Sequence, residues 1–177
     1  MKKMALLVLL FVTTISIAQE KEKKYPQDLN KKHELKLNAF NLIALSSVDV
    51  SYEYLINKDS SFGVGVFYNF NDADDILLRE FSLTPYYRWF FSERFASRGF
   101  FVEMFGMLNA NGDENSNFTR KETNFAIGIS VGGKFVTTKN FVAEVYLGVG
   151  RNLINGKENI LDSNIVGRGG ISLGYRF

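Results

Sequence analysis

Alternation with period two is the feature that most constrains this chain. Over residues 169–177, Ile171, Leu173, Tyr175 and Phe177 fall on one parity, and Gly170, Ser172, Gly174 and Arg176 on the other. Successive side chains of a strand point to opposite faces, so this spacing predicts a strand with one apolar face and one small or polar face. The same pattern recurs upstream and predicts eight strands, at 33–45, 48–55, 61–70, 76–91, 98–109, 124–135, 141–152 and 163–177. In the first, Leu35, Leu37 and Ala39 oppose Glu34, Lys36 and Asn38, and the parity blurs at 40–43, where a bulge is expected. Pro85 removes a ladder donor from the fourth and predicts a second bulge.

The ends of the chain set its compartment. Lys2 and Lys3 precede an apolar run, Met4 to Val12, and Ser16-Ile17-Ala18 offers small residues before Gln19. This reads as a secretory signal peptide over 1–18, too short for a spanning helix. Residues 19–32 are polar and aperiodic, and are expected to form a mobile periplasmic arm. The eight strands then occupy 33–177. Cysteine is absent, which excludes a lipid-anchored lipoprotein and a disulfide scaffold. Removing Lys2 and Lys3 from the 21 Lys+Arg leaves 19, against 19 Asp+Glu. That balance gives no basic field for nucleic acid.

The strands follow one another with alternating connections. Those after the second, fourth and sixth (near residues 58, 95 and 139) are short; those at 71–75, 110–123 and 153–162 are longer and polar. Outer-membrane barrels show this asymmetry, short turns on the periplasmic side and longer loops outside. The apolar face carries Tyr52, Tyr54, Phe62, Tyr68, Phe70, Phe81, Tyr87, Trp89, Phe100, Phe125, Phe141, Tyr175 and Phe177. An eight-stranded interior is only wide enough to be filled by side chains, so this set belongs outside, in lipid. The alternative, a soluble lipocalin-like barrel, would have to hide it within. Glycines at 63–65, 128–133 and 167–170 suit a narrow lumen. Aromatics gather at the turn end like an interfacial girdle.

The terminal strand, with Ile171, Leu173, Tyr175 and a final Phe177, resembles the C-terminal assembly signature of bacterial outer-membrane β-barrels. From the first strand to the end, the chain is similar to the small eight-stranded barrels of the OmpA/OmpX size class. Ser51-Tyr52-Glu53-Tyr54, Leu83-Thr84-Pro85-Tyr86-Tyr87-Arg88 and Gly99-Phe100-Phe101-Val102-Glu103 are similar to segments of uncharacterised barrel families of Bacteroidota-type bacteria. The resemblance implies an all-β, antiparallel up-and-down transmembrane barrel in the outer membrane of a Gram-negative cell. It further implies contact with outer-membrane lipid and lipopolysaccharide, and with the barrel-assembly machinery, which would read the last strand. It implies no defined activity.

Residues with catalytic or ligand chemistry are sparse. His33, the only histidine, falls at the expected periplasmic end and reads as solvated. With no Cys and one His, a zinc site is not expected. Residues 150–157 have the wrong glycine spacing for a phosphate loop, and Glu158 stands where Ser or Thr is needed. Asn109, Asn111, Asp113 and Asn115 are spaced like calcium ligands, but Glu114 and Arg120 break the EF-hand pattern. No cofactor and no enzymatic activity are expected.

What remains is charge on the small face. Glu53, Glu80, Arg88, Glu103, Lys134, Glu144, Arg168 and Arg176 are expected to fill and neutralise the lumen. Arg88 and Glu103 are symmetric about the turn near 95, and Lys134 and Glu144 about 139, so each pair should meet across its hairpin; Arg176 should reach Glu34 across the closing seam. The function these readings favour is a structural or protein-interaction barrel, with an accessory subunit of a larger envelope complex as one form of it. A small pore is the alternative, and a lipid-modifying enzyme the second.

Overall fold

A computed structural model describes residues 31–70, 79–92, 97–111, 122–153 and 165–177. The expected signal peptide, all of the arm except Lys31 and Lys32, the three polar loops over most of their length, Arg94, Asp113 and Asn115 lie outside the described residues.

The strands are β1 (His33–Asn38), β2 (Ser47–Leu55), β3 (Ser60–Asn69), β4 (Arg79–Phe90), β5 (Gly99–Asn111), β6 (Glu122–Val136), β7 (Phe141–Asn152) and β8 (Ile165–Arg176). Each pairs antiparallel with its neighbour in sequence, and β1 pairs with β8. The protein is a closed eight-stranded up-and-down barrel. Closure satisfies backbone groups that an open sheet would leave bare at its edges.

Inside and outside follow parity. Leu147, Phe135, Ile165 and Ile129 are 73%, 69%, 67% and 60% exposed on the outer wall, whereas Glu53 and Glu103 are fully buried. Large inward side chains are accommodated by glycine on an adjacent strand. Tyr86 lies over Gly63, where a Cβ would collide with its ring, and Phe101 lies over Gly132 in the same way. The interior is therefore filled by aromatic rings as well as charge, a fuller mixture than the Gly, Ser and Ala of the small face indicate.

Two local expectations are corrected. The first strand does not run to residue 45. It ends at Asn38, and Ala39–Ala44 form a short helix, α1. The Asn38 side chain caps it by accepting from the Asn41 N–H at 3.2 Å. The Leu45 N–H closes the last turn on the Asn41 carbonyl at 3.1 Å. Asn41 faces inward and is buried, while Phe40, Leu42 and Ile43 are exposed, so the blurred parity reflects a helical period. The second correction concerns Pro85. Leu83 pairs with Leu108 and Tyr86 with Phe105, an unbroken register across the proline. The irregularity lies instead between Arg79 and Phe81.

One end of the barrel is knitted by short turns. Phe90 N–H donates to the Asp59 carbonyl at 2.8 Å, Ser97 N–H to the Lys58 carbonyl at 2.6 Å, and Arg176 N–H to the Asn140 carbonyl at 2.9 Å. Both chain ends of the barrel meet there, with the Phe177 N–H donating to the His33 carbonyl at 2.8 Å.

Candidate functional site

The densest chemistry lies on the barrel axis. Arg88, on β4 and 1% exposed, is its centre. Its Nε donates to Glu103 Oε2 at 2.7 Å, its Nη1 to Glu53 Oε2 and Glu144 Oε2 at 2.8 Å each, and its Nη2 to Glu144 Oε1 at 3.2 Å. The guanidinium carbon lies 4.3 Å from the Phe101 ring centroid and 4.5 Å from that of Tyr86. Below it, Lys134 Nζ donates to Glu53 Oε1 at 2.6 Å and Glu34 Oε2 at 2.8 Å. Arg176 Nε donates to Glu34 Oε1 at 2.8 Å, and its Nη2 donates to the Ser97 carbonyl at 3.0 Å. Above it, Arg168 pairs with Glu103 and lies 4.7 Å from the Tyr86 ring centroid.

Seven of the eight residues read as lumen charges from the sequence thus converge: Glu53, Arg88, Glu103, Lys134, Glu144, Arg168 and Arg176. Glu80 does not join them in the buried set. It falls in the register irregularity at the far end of β4 from Arg88 and is half-buried, because the extra residue there breaks the parity that pointed it inward. Of the expected pairs, Arg88 and Glu103 face each other in register, as do Glu34 and Arg176, and both make contact. Lys134 and Glu144 also share a register position, but the Lys134 Nζ turns to Glu34 and Glu53, while Glu144 takes Arg88 and Lys36.

Lys36 is the member that pairwise reasoning missed. It is buried, pairs with Glu53, and donates to Glu144 Oε2 at 2.9 Å. Its inward parity was visible, but not its reach to β7. A second polar cluster sits under α1, where Asn38 Nδ2 and Asn41 Nδ2 both donate to Asp49 Oδ2, at 3.1 and 3.0 Å. With two or more partners for each of the central charges, desolvation is offset by several hydrogen bonds rather than one. The arrangement ties strands on opposite sides of the barrel together through ion pairs on its axis.

Ile171, Leu173, Tyr175 and Phe177 all lie exposed on the outer wall. His33 differs from a simply solvated side chain. It is half-buried, its Nδ1 is 2.5 Å from the Tyr52 hydroxyl, and its ring stacks on Phe177 with centroids 5.9 Å apart. Among the described residues no group of three or more His, Cys, Asp or Glu side chains is placed to hold a metal ion.

Comparisons with known proteins give the chain a family and a structural likeness. The family described as a protein of unknown function (DUF3575) matches residues 5–161. No curated protein matches the chain. Among solved structures, the crystal structure of the N-terminal β-barrel domain of Pseudomonas aeruginosa OprF is similar at a TM-score of 0.58 and 14% identity, covering 83% of this chain and 96% of that one. At that identity the similarity speaks to the fold.

Proposed function

We propose a role for this chain, which belongs to the DUF3575 family of proteins of unknown function, from its barrel alone: an integral outer-membrane protein with a structural or protein-interaction role in the envelope. The observation that carries the reading is the inversion of the water-soluble pattern, with ion pairs at the axis and apolar side chains over most of the described wall. A hydrocarbon surround tolerates such a wall, and a closed barrel is a β-structure that leaves no backbone edge in it. The likeness to an OprF barrel supports the same placement.

In this reading residues 1–18 are a cleaved export signal, 19–32 a periplasmic arm, and 33–177 the membrane barrel. Ile171, Leu173, Tyr175 and Phe177 address the barrel-assembly machinery. The plug favours a scaffold over a pore, since an ion would have to displace charges that are already paired. The loops then offer contact to other envelope proteins, as in an accessory subunit, and the wall contacts lipid and lipopolysaccharide. Purified protein in planar bilayers should give no stepwise conductance, and fractionated cells should yield it with the outer membrane. Regular ohmic steps would overturn the plugged-scaffold reading; recovery in the soluble periplasm would overturn the membrane reading.

A further inference from the structure

The outer wall is not uniform. On its β5–β8 side is a groove of about 430 Å³ whose lining includes Met104, Ile129, Val149 and Arg151. Register explains the hollow. Met104, Ile129 and Val149 form one transverse row, and Ile127, Arg151 and Ile165 the next row toward the loop end. The first row continues to Gly167 on β8, and the second to Gly106 on β5. Both glycines lie on the outward parity, but the Phe125 ring comes within 3.5 Å of where a Cβ at Gly106 would sit, so the wall is thinned at the Gly167 corner. A Cβ at Gly167 would meet nothing within 4 Å.

Arg151 is the exception in this lining, an exposed cation among aliphatic side chains, one residue from the loop end of β7. Among the described residues no carboxylate pairs with it. A cation on a lipid-facing wall is expensive at the bilayer midplane and tolerated near the interfaces, where headgroup anions come within its reach. A guanidinium binds carboxylate and phosphate alike with matched, two-pronged geometry, and phosphate is the one that membrane lipid headgroups commonly carry.

We propose that this groove is a binding site for one phosphate-bearing lipid of the outer leaflet, with an acyl chain lying along Met104, Ile129 and Val149 and the headgroup phosphate on Arg151. The site rests on the membrane reading above and adds to it a defined position and a headgroup requirement.

Lipid A, intact or with its phosphates removed enzymatically, is added to the full-length purified protein in detergent, and bound lipid is counted by native mass spectrometry. Wild type should retain one intact lipid A. Arg151→Gln should lower retention at least fivefold, Arg151→Lys should restore part of it, and Gly167→Phe should lower it by filling the hollow. Dephosphorylated lipid A should be retained no better by wild type than intact lipid A is by Arg151→Gln. Retention that ignores Arg151 or the phosphate would overturn the site while leaving a membrane barrel standing. A protein recovered without membrane would overturn the membrane reading itself. Both positions lie exposed on the outer face, and a Cβ at Gly167 meets nothing within 4 Å, so a folded barrel is expected, and heat-modifiable gel mobility verifies it in each variant.

Discussion

Arg88 and Glu144 meet across the barrel through two contacts, at 2.8 and 3.2 Å, although 56 residues separate them and they stand on β4 and β7. Arg88 also serves Glu53 and Glu103, so removing it strands several buried carboxylates at once. Arg88→Met should lower unfolding stability in lipid or detergent by ~3–5 kcal/mol or more, and Glu103→Gln by less, because Glu103 is one of several partners. Paired replacement by Arg88→Met and Glu103→Leu is expected to leave most of the Arg88→Met loss in place, since Glu53 and Glu144 lose their guanidinium and Arg168 loses Glu103. Urea midpoints for the three variants test the order. A double variant restored to wild-type stability would mean that Arg88 and Glu103 act as an isolated pair.

That network shows where the sequence was legible and where it was not. Parity alone placed Glu53, Arg88, Glu103 and Lys134 inside, because a one-residue slip would have turned them all to the outer wall. Hairpin symmetry found Arg88 with Glu103, since adjacent strands fix register. It could not find Arg88 with Glu144, or Lys36 with Glu144, because contacts across a lumen depend on barrel stagger and side-chain reach. α1 escaped for another reason. Residues 39–44 are too few for a helical period to outweigh the alternation before them, and the deciding contact is a single capping side chain, Asn38.

Phe177 is both a terminal aromatic and a structural latch. Beyond the stack on His33, it exchanges two backbone hydrogen bonds with that residue, at 2.8 and 3.1 Å. Deletion of Phe177 should therefore lower barrel stability by roughly 1–3 kcal/mol as well as outer-membrane levels. Phe177→Asp keeps the backbone pair and isolates the side chain. It should refold in detergent with a smaller loss, yet accumulate poorly in cells. Equal losses in both settings would remove the case for a recognition role.

Topology is open to a protease test. Lys58 and Lys139 lie at the turn end, where the barrel's two chain ends also meet, and Lys139 is exposed. In the proposed orientation that end faces the periplasm and the loop expected over residues 110–123 faces outside. Trypsin added to intact cells should spare Lys58 and Lys139 and cut only within the long loops; after outer-membrane permeabilisation Lys139 should become accessible. Cleavage at Lys139 in intact cells would invert the orientation.

Asn38 and Gly170 meet where β1 passes into α1 against β8. The Asn38 amide donates to the Gly169 carbonyl at 3.1 Å and to the Tyr146 hydroxyl at 3.3 Å, while its oxygen caps α1. Gly170 has φ +147°, and a Cβ there would run into the Asn38 side chain. Gly170→Ala thus carries two penalties, an unfavourable backbone region and a collision. Asn38→Ala carries a different pair, a lost cap worth about 1 kcal/mol and unpaired groups beneath the helix. In the Asn38→Ala background the collision vanishes but the backbone strain stays. The double variant should therefore be more stable than the two single losses sum to, by roughly 0.5–3 kcal/mol of coupling. Unfolding in urea measures all four corners of the cycle. Strict additivity would mean that Asn38 moves aside freely, and that α1 is not held by the contact that starts it.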